Sequence, residues 1–533
     1  MKKIYKSIFM LAMIAGVFSL NSFGQREVAV ASMGNSGVID GLPLAIEADS
    51  AAREAAYLAD GTTTAYVLEP GGIYPIVSLM DPSYFYLHIK SSGSLTDPKP
   101  RLVPSPREDN GFNDFIEFRS PLGGKLENLY ITGMRTYVDG TLDANRHNIK
   151  LYAGARVEIF GCEIAHDVPG ALISIWEDGS SLWLEDCLLH SVGHHRSAGG
   201  NGRIISPRAN MDTISLVNCS FFNFTDRIFR NMGAEIGYTK IDHCTGLNSA
   251  GYHGGLQLGS THEVEVTNNI FGNMITLGSD TARVAGGSTN EQTQPEDDQM
   301  YVITLDEVFT DSKITIRNNN MYWDQAYTDL WTANSSHVAA PGTITATIIG
   351  ALEGNEADAV MEEALVFTVE PPSLVPYTTD MFMDPRPEPL AENFYFGEDV
   401  DLGYDKTSDT YTAGDNGFPL GDLNWYPGLK AIWAAGGEPT AVAEKFQTEK
   451  LNMTSFPNPF SGQATLRFSL DQSTEVSVNI YDITGKSVKR IDAGYFSSGE
   501  NTLTIQQGGL NAGIYILKLN AGSNSGVMKI SVK

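Results

Sequence analysis

The chain has 533 residues, which is too long for one ordinary compact domain unless it forms a repeat array. Apolar residues make up 42% of it, with 53 Gly and 24 Pro, so the composition is that of a folded, turn-rich protein and not of a disordered one. The formal charge of −28 argues against nucleic acid or an anionic membrane surface as the main partner, because either would repel the chain and require a basic patch.

The first 24 residues have the order of a secretory signal peptide. Lys2, Lys3 and Lys6 precede an apolar run over residues 8–20, which small and polar residues follow. The run is shorter than the roughly 20 residues that a membrane-spanning helix needs. We therefore expect a signal peptide over residues 1–24, a mature chain that begins near Gln25, and no transmembrane segment after it.

An internal repeat occupies the middle of the chain. Seven segments share alternating apolar and polar residues, a turn residue and a fixed last position: LYITGM, VEIFGC, LWLEDC, ISLVNC, TKIDHC, VEVTNN and ITIRNN. Their last residues are Met134, Cys162, Cys187, Cys219, Cys244, Asn269 and Asn319. Successive positions differ by 25 to 32 residues, except for a final step of 50 that fits either two coils or one coil with an acidic insertion over residues 280–311.

This repeat predicts an all-β solenoid. One alternating strand per repeat stacks into a parallel sheet with neighbours about 4.8 Å apart, and each coil buries its apolar side against the next. An Ala-rich stretch over residues 45–58 is expected to form a capping helix. The following TAYVLEPGGIYPI, residues 64–76, resembles the opening strand of right-handed parallel β-helices of the pectate-lyase-like superfamily. That resemblance implies a right-handed parallel β-helix over residues 25–437, with a trailing segment that includes Gly421-Asp422 and Trp425.

The four cysteines occupy the same position of consecutive coils. Their alignment favours an internal ladder of reduced thiols, since a stacked core cysteine behaves as a small hydrophobe. Vertical disulfides, Cys162 with Cys187 and Cys219 with Cys244, stay open as an alternative because in-register neighbours lie within the Cα distance that a bridge needs. No metal site is expected here, since one ligand per coil forms a line and not a tetrahedron.

Polar residues recur at similar offsets from this ladder. His195 lies eight residues after Cys187, Arg227 eight after Cys219 and His253 nine after Cys244. We predict catalytic roles for one set of neighbouring side chains and substrate-binding roles for another. The first set is Arg203, Arg227, Arg230 and His253; the second is His195, Arg196, Arg208 and Tyr252.

A column of Arg and His side chains is suited to binding or cleaving an extracellular polysaccharide. A lyase needs a base for the proton α to a uronate carboxylate and positive charge for the developing enediolate, and Arg and His can supply both, as they do in β-helical lyases. Two other interpretations stay open: a catalytically silent glycan-binding relative, and a surface adhesin or structural protein whose arginines pair with neighbours such as Asp226, Glu235 and Asp242. The sequence does not decide whether the protein is an enzyme.

Other chemistries have little support in the sequence. The paired-carboxylate set of β-helical polygalacturonases is incomplete, with only Asp297-Asp298 in the insertion, and serine-hydrolase, phosphate-loop and zinc-peptidase motifs are missing. No cofactor is expected. Calcium stays an option at Glu296, Asp297 and Asp298, although these residues do not have the spacing of a calcium loop.

The C-terminal region reads as a polar linker over residues 438–451 and a small β-sandwich over residues 452–533. Short alternating strands are separated by turn residues. The region resembles the type A C-terminal sorting domain of the type IX secretion system in four elements: Pro457-Asn458-Pro459-Phe460, the hairpin VNIYDITGKSV at 478–488, LNAGIY at 510–515, and KISVK at 529–533. The resemblance implies that the type IX machinery carries the protein across the outer membrane, to be released or held at the cell surface.

Overall fold

The computed structural model describes residues 24–106, 114–136, 142–144, 149–166, 170–193, 202–231, 233–251, 254–280, 299–336, 338–383, 400–439, 451, 453–470, 473–481, 487–511, 513–521 and 524–533. The described residues form two compact units. The first contains residues up to Asp415 together with Pro419–Asp422, and the second contains Asn416–Phe418 and Leu423–Lys533. The expected signal peptide and most of the expected linker lie outside the described residues.

The first unit is a parallel β-helix with three long sheets, as the repeat predicts. Sheet 1 contains Gln25–Val30, Thr63–Leu68, Leu87–Ser91, Gly124–Glu127, Arg156–Phe160, Ser180–Glu185, Met211–Val217, Glu235–Asp242, Ser260–Thr267 and Lys313–Arg317. Sheet 2 contains Ile73–Ile76, Arg101–Pro104, Tyr130–Thr132, Glu163–Ala165, Leu188–Val192, Ser220–Phe224, Thr245–Ser249, Ile270–Gly272, Asn319–Tyr322 and Val360–Met361. Sheet 3 contains Ile116–Phe118, Ile149–Leu151, Ala171–Ile175, Arg203–Pro207, Phe229–Arg230, Leu256–Gln257, Tyr301–Thr304 and Gly342–Ile344.

Strand register confirms six of the seven ladder positions and corrects the first. Glu163 pairs with Tyr130, so the residue that stacks on Cys162 is Leu129 and not Met134. Met134 lies five residues further on, in the strand Met134–Thr136 outside the three long sheets. The repeat frame was wrong there because GKLENL, residues 124–129, and LYITGM both fit the same pattern, and only the pairing of Val157 with Gly124 separates them.

The ladder faces a continuous interior. Leu129, the four cysteines, Asn269 and Asn319 are all at most 2% exposed. The cysteines are free thiols. Asn269 Nδ2 donates to Asn319 Oδ1 at 2.8 Å, so the amides continue the thiol column as a hydrogen-bonded pair. The final step of 50 residues is a single coil with an insertion, because Glu263 pairs directly with Lys313.

The residue before each ladder position turns the chain from sheet 1 to sheet 2. It has a left-handed backbone in all seven coils that carry a ladder position, with φ between 49° and 62° at Asn128, Gly161, Asp186, Asn218, His243, Asn268 and Asn318. Glycine and short polar side chains adopt this conformation most readily, which explains why a turn residue always precedes the fixed position.

Helices and short elements close the ends of the solenoid. The stretch predicted as one helix over residues 45–58 forms parts of two helices, Gly41–Ala48 and Ser50–Asp60. Leu42 and Ile46 of the first helix bury against the first coils. The remaining helices of the described first unit are Met33–Ser36, Gln325–Ala333, Ala346–Ile349 and Val375–Met383, with 3-10 turns at Glu356–Asp358 and Asp409–Thr412. Short antiparallel pairs join Met134–Thr136 to Leu142–Ala144, Ser279–Asp280 to Val338–Ala339, and Phe367–Val369 to Asp401–Tyr404.

The trailing segment is tied to the outside of the coils. Asp415 pairs with Arg317 and accepts from Asn268 Nδ2 at 3.1 Å. Further along, Ser220 Oγ donates to Asp422 Oδ2 at 2.7 Å. These contacts use carboxylates to fix an otherwise irregular segment to sheet 2 and its turns.

The second unit contains an antiparallel β-sandwich. One sheet orders Thr454–Phe456, Gln463–Leu470 and Gly499–Gln506, and the other orders Ser487–Phe496, Thr474–Tyr481, Gly513–Ala521 and Asn524–Val532. Alternating residues such as Leu466, Val478 and Leu517 are fully buried between the sheets. A 3-10 turn at Leu423–Trp425 and a helix at Pro427–Ala434 precede the sandwich, and another 3-10 turn, Asp415–Gly417, lies where the two units meet in sequence.

Candidate functional site

Two of the predicted arginines lie at the corner where the chain enters sheet 3. Arg203 begins the strand Arg203–Pro207, and Arg227 precedes the strand Phe229–Arg230 of the next coil. Both side chains are buried, with 4% of Arg203 and none of Arg227 exposed. Asp226, itself fully buried, lies between them: its two oxygens accept from Arg203 Nε at 3.3 Å and from Arg227 Nε at 3.0 Å.

Two further hydrogen bonds hold the buried corner at Asp226 and Arg227 in place. Arg227 Nη1 donates to Gln257 Oε1 at 2.6 Å, and Gln257 also hydrogen-bonds Asp306. Ser249 Oγ donates to the backbone carbonyl of Asp226 at 2.5 Å. At Gly251 a Cβ atom would lie 2.3 Å from that same carbonyl, so the backbones approach more closely than any other residue would allow.

The other two predicted site arginines that the structure describes, Arg208 and Arg230, lie nearer the surface. Arg230 pairs in register with Gln257 and is partly exposed. Arg208 follows the strand Arg203–Pro207, is also partly exposed, and its guanidinium lies 4.4 Å from the ring centroid of Trp176. Two of the four arginines are therefore buried and two are accessible.

The arginines of this group lie close enough to repel one another. Burial lowers the pKa of Arg203 to about 9; Asp226 opposes this, and repulsion from Arg230 and Arg227 adds to it. Burial likewise lowers the pKa of Arg230 to about 10, and repulsion from Arg227 adds to it. All four guanidiniums stay charged at neutral pH. Four guanidiniums are thus grouped at one sheet of a chain whose net charge is −28.

Four predicted site residues, His195, Arg196, Tyr252 and His253, lie outside the described residues. So do Glu296, Asp297 and Asp298, and calcium at that insertion stays a prediction. Within the described part of the chain, no three His, Cys, Asp or Glu side chains are grouped as metal ligands.

The alternative interpretation, in which the arginines pair with neighbouring carboxylates, holds for Arg203 and Arg227. Asp226 pairs with Arg203 and Arg227, whereas Glu235 pairs with His262 and Asp242 with His243. Sequence reasoning missed Gln257, Asp306 and Trp176. Alignment of the sheet 3 strands could have found two of these residues. In that alignment Gln257 lies beside Arg230, and Trp176 lies one coil before Arg208.

Residues 454–533 match the family described as the secretion system C-terminal sorting domain. No curated protein matches the chain. The chain is therefore an exported protein in which a parallel β-helix precedes a sorting module. That module is the C-terminal sorting domain of the type IX secretion system, so the protein engages this machinery and is secreted or held at the cell surface. Among the described helices, none has the length and apolar content needed to span a bilayer.

Proposed function

We propose that the β-helix binds an acidic extracellular polysaccharide through a basic surface at which Arg208 and Arg230 are partly exposed and Arg203 and Arg227 are buried. The observation that carries the proposal is that guanidiniums on one sheet of a strongly acidic protein lie close enough to repel one another. Guanidiniums recognise carboxylate and sulfate groups through paired N–H donors. An anionic ligand would relieve the repulsion that already lowers the pKa of Arg203 and Arg230.

The buried and accessible arginines have different roles in this proposal. Arg208 and Arg230 are partly exposed and contact the ligand. Arg203 and Arg227 are buried and tied to Asp226, so they act from beneath by raising the local potential and fixing the corner. Because a weakly solvated site strengthens electrostatic interactions, buried cations contribute more than surface lysines of the same charge.

Binding can be tested with an R208Q/R230Q variant and a matched control. The control, R156Q/K313Q, removes the same charge from exposed positions on sheet 1. We expect wild type and control to bind immobilised polygalacturonate, alginate or a sulfated glycan. The R208Q/R230Q variant should bind at least about tenfold more weakly, since each lost charge-assisted hydrogen bond is worth roughly 1.5–3 kcal/mol. Equal loss in both variants, or no binding by wild type to any of these polymers, would overturn the proposal.

Cleavage is a second candidate function. The specific observation in its favour is the cationic charge that a uronate lyase needs beside the substrate carboxylate. The residues predicted to supply the base and the charge are Arg203, Arg227, Arg230 and His253. Ultraviolet absorbance of unsaturated product, followed during the same incubations, separates a lyase from a glycan-binding protein. Binding without product would leave glycan binding without cleavage as the function.

A further inference from the structure

One arginine of the N-terminal cap is buried among uncharged partners. Arg53, on the helix Ser50–Asp60, is 9% exposed. Its Nη1 donates to the backbone carbonyl of Ile46 at 2.9 Å and to Tyr66 Oη at 2.5 Å. Its guanidinium carbon lies 3.6 Å from the centroid of the Phe85 ring. Buried arginines are normally paired with a carboxylate, and none of these three contacts supplies one.

The carboxylate that comes next in this network is already paired. Tyr66 Oη donates to Asp49 Oδ2 at 3.3 Å, and Asp49 forms an ion pair with Arg26. The network therefore connects Arg53 to Asp49 only through the tyrosine hydroxyl.

The unused N–H groups of Arg53 form one edge of its guanidinium. Nε and Nη2 make no hydrogen bond or ion pair with any residue that the structure describes. Neither of these nitrogens is a fully enclosed atom, so both remain accessible. Their hydrogens point in the same direction, which is the fork geometry that binds the two oxygens of one carboxylate.

Arg53 lines a cavity of about 340 Å³ between the cap helices and the segment that joins the strands Ile73–Ile76 and Leu87–Ser91. This volume lies within the range of small-molecule sites, roughly 300–1,000 Å³. Most of the wall is apolar and is formed by Pro43, Leu44, Ile46, Leu79, Met80 and Pro82. The cavity is therefore the space from which an apolar molecule with a carboxylate group can reach Arg53.

Acidic side chains also line the cavity, and they restrict which ligand it can accept. Asp40 Oδ1 accepts from two backbone N–H groups, and Asp81 lies 3.5 Å from the guanidinium of Arg119. Glu47 is exposed and has no ion-pair partner in the described part of the chain. These carboxylates repel a simple anion, whereas a ligand that also has an amino group is attracted to them.

We propose that this cavity binds an apolar zwitterion, either a single amino acid or a dipeptide. The ligand carboxylate pairs with Nε and Nη2 of Arg53, its ammonium group is attracted to Glu47, and its side chain packs on the apolar wall. The proposal goes beyond the polysaccharide-binding function and does not depend on it, because the two sites share no residue.

A ligand series with the wild-type protein tests the charge requirement by isothermal titration. Leucine and dileucine distinguish an amino acid from a dipeptide as the preferred ligand. Isopentylamine lacks the carboxylate of leucine and should bind at least about tenfold more weakly, since a charge-assisted hydrogen-bond pair is lost. Isocaproate lacks the amino group and should bind about threefold or more weakly. Failure of both leucine and dileucine to bind, or equal affinity for leucine and isocaproate, would overturn the proposal.

The variants R53K and E47Q test the two charged contacts, with E54Q as the matched control. Glu54 is exposed on the same helix as Arg53 and does not line the cavity. R53K keeps the charge but loses the fork, so leucine should bind at least about tenfold more weakly. E47Q should weaken leucine about two- to fivefold without weakening isocaproate, and E54Q should bind both ligands as wild type does.

Wild-type affinity in R53K, or the same leucine affinity in E47Q and E54Q, would show that these side chains do not hold the ligand. The ligand series uses only the wild-type protein, so it tests the carboxylate contact independently of how R53K folds.

Discussion

At the scale of single residues, Asp226 decides whether the basic corner is stable. A carboxylate with no exposed surface joins two guanidiniums that are themselves buried. Removing one member of a buried ionic group leaves the partner charges uncompensated, which costs far more than the group contributes as a whole. Asp226 therefore stabilises the fold as well as positioning the arginines.

We expect D226N to lower the free energy of unfolding of the β-helix by roughly 3–5 kcal/mol, because it leaves Arg203 and Arg227 without their shared counter-charge. Guanidinium chloride titration followed by circular dichroism measures this change. The exposed Asp212 on sheet 1 gives a control, and D212N should change stability by less than about 1 kcal/mol. Similar losses in both variants would show that Asp226 has no special structural role.

The cysteine ladder gives a second test at this scale. All four thiols are free and at most 2% exposed, and burial raises the pKa of Cys162, Cys187 and Cys219 well above the usual range. A buried, protonated thiol does not react with a disulfide reagent. We expect no reaction of the folded protein with Ellman's reagent and four reactive thiols after denaturation without reductant. Two reactive thiols after denaturation would instead indicate one vertical disulfide, and none would indicate both.

At the scale of elements, one left-handed residue per coil sets the turn from sheet 1 to sheet 2. Asp186 shows the requirement best because its side chain is partly exposed, so packing contributes little. A glycine would relieve the conformational cost, whereas a β-branched residue would increase it.

D186V should therefore lower the free energy of unfolding by about 1–3 kcal/mol, and D186G should leave it within about 1 kcal/mol of wild type. Thermal or chemical unfolding of the two variants measures the difference. A D186V variant as stable as D186G would mean that the turn tolerates other backbone conformations.

These same turns explain what sequence reasoning could and could not predict. The Cys162 to Asn319 positions were predicted because each coil repeats a turn residue and a buried side chain at one spacing. Met134 was wrong because GKLENL and LYITGM both fit the repeat pattern, and the strand Met134–Thr136, paired with Leu142–Ala144, extends the same coil without breaking that pattern. At the candidate site, the sequence could identify Arg203, Arg208, Arg227 and Arg230. It could not predict that Arg203 and Arg227 are buried. Burial depends on the irregular corner at Asp226 and on the neighbouring coil that carries Gln257.

At the scale of the whole molecule, carboxylates hold the coils and the trailing segment together. The hydrogen bond from His88 lowers the pKa of Glu127 to about 2, with Lys125 adding to it. Burial opposes ionisation of Asp242 and Asp415, yet the pKa of each is lowered, by His243 for Asp242 and by Arg317 for Asp415. A carboxyl group whose pKa is lower in the folded state stabilises the fold above its unfolded pKa, about 4, and loses that contribution as the pH falls.

We therefore expect the free energy of unfolding to be nearly constant from pH 7 to about 5 and to fall between about pH 4.5 and 2. Urea titrations across this range measure it. The variant E127Q should show a shallower decline, because it removes one of the groups that titrate. An increase in stability on acidification would contradict the assignment of these pairs.

The most direct measurement of the central claim compares one polymer backbone with and without its charge. Isothermal titration of the wild-type protein with polygalacturonate and with its fully methyl-esterified form keeps the pyranose chain and removes the carboxylates. We predict binding to the acidic form that weakens as salt rises, because screening reduces attraction to the four arginines, and at least about tenfold weaker binding to the ester. Equal affinity for both forms, or affinity that does not respond to salt, would contradict recognition of an acidic polysaccharide by the basic surface.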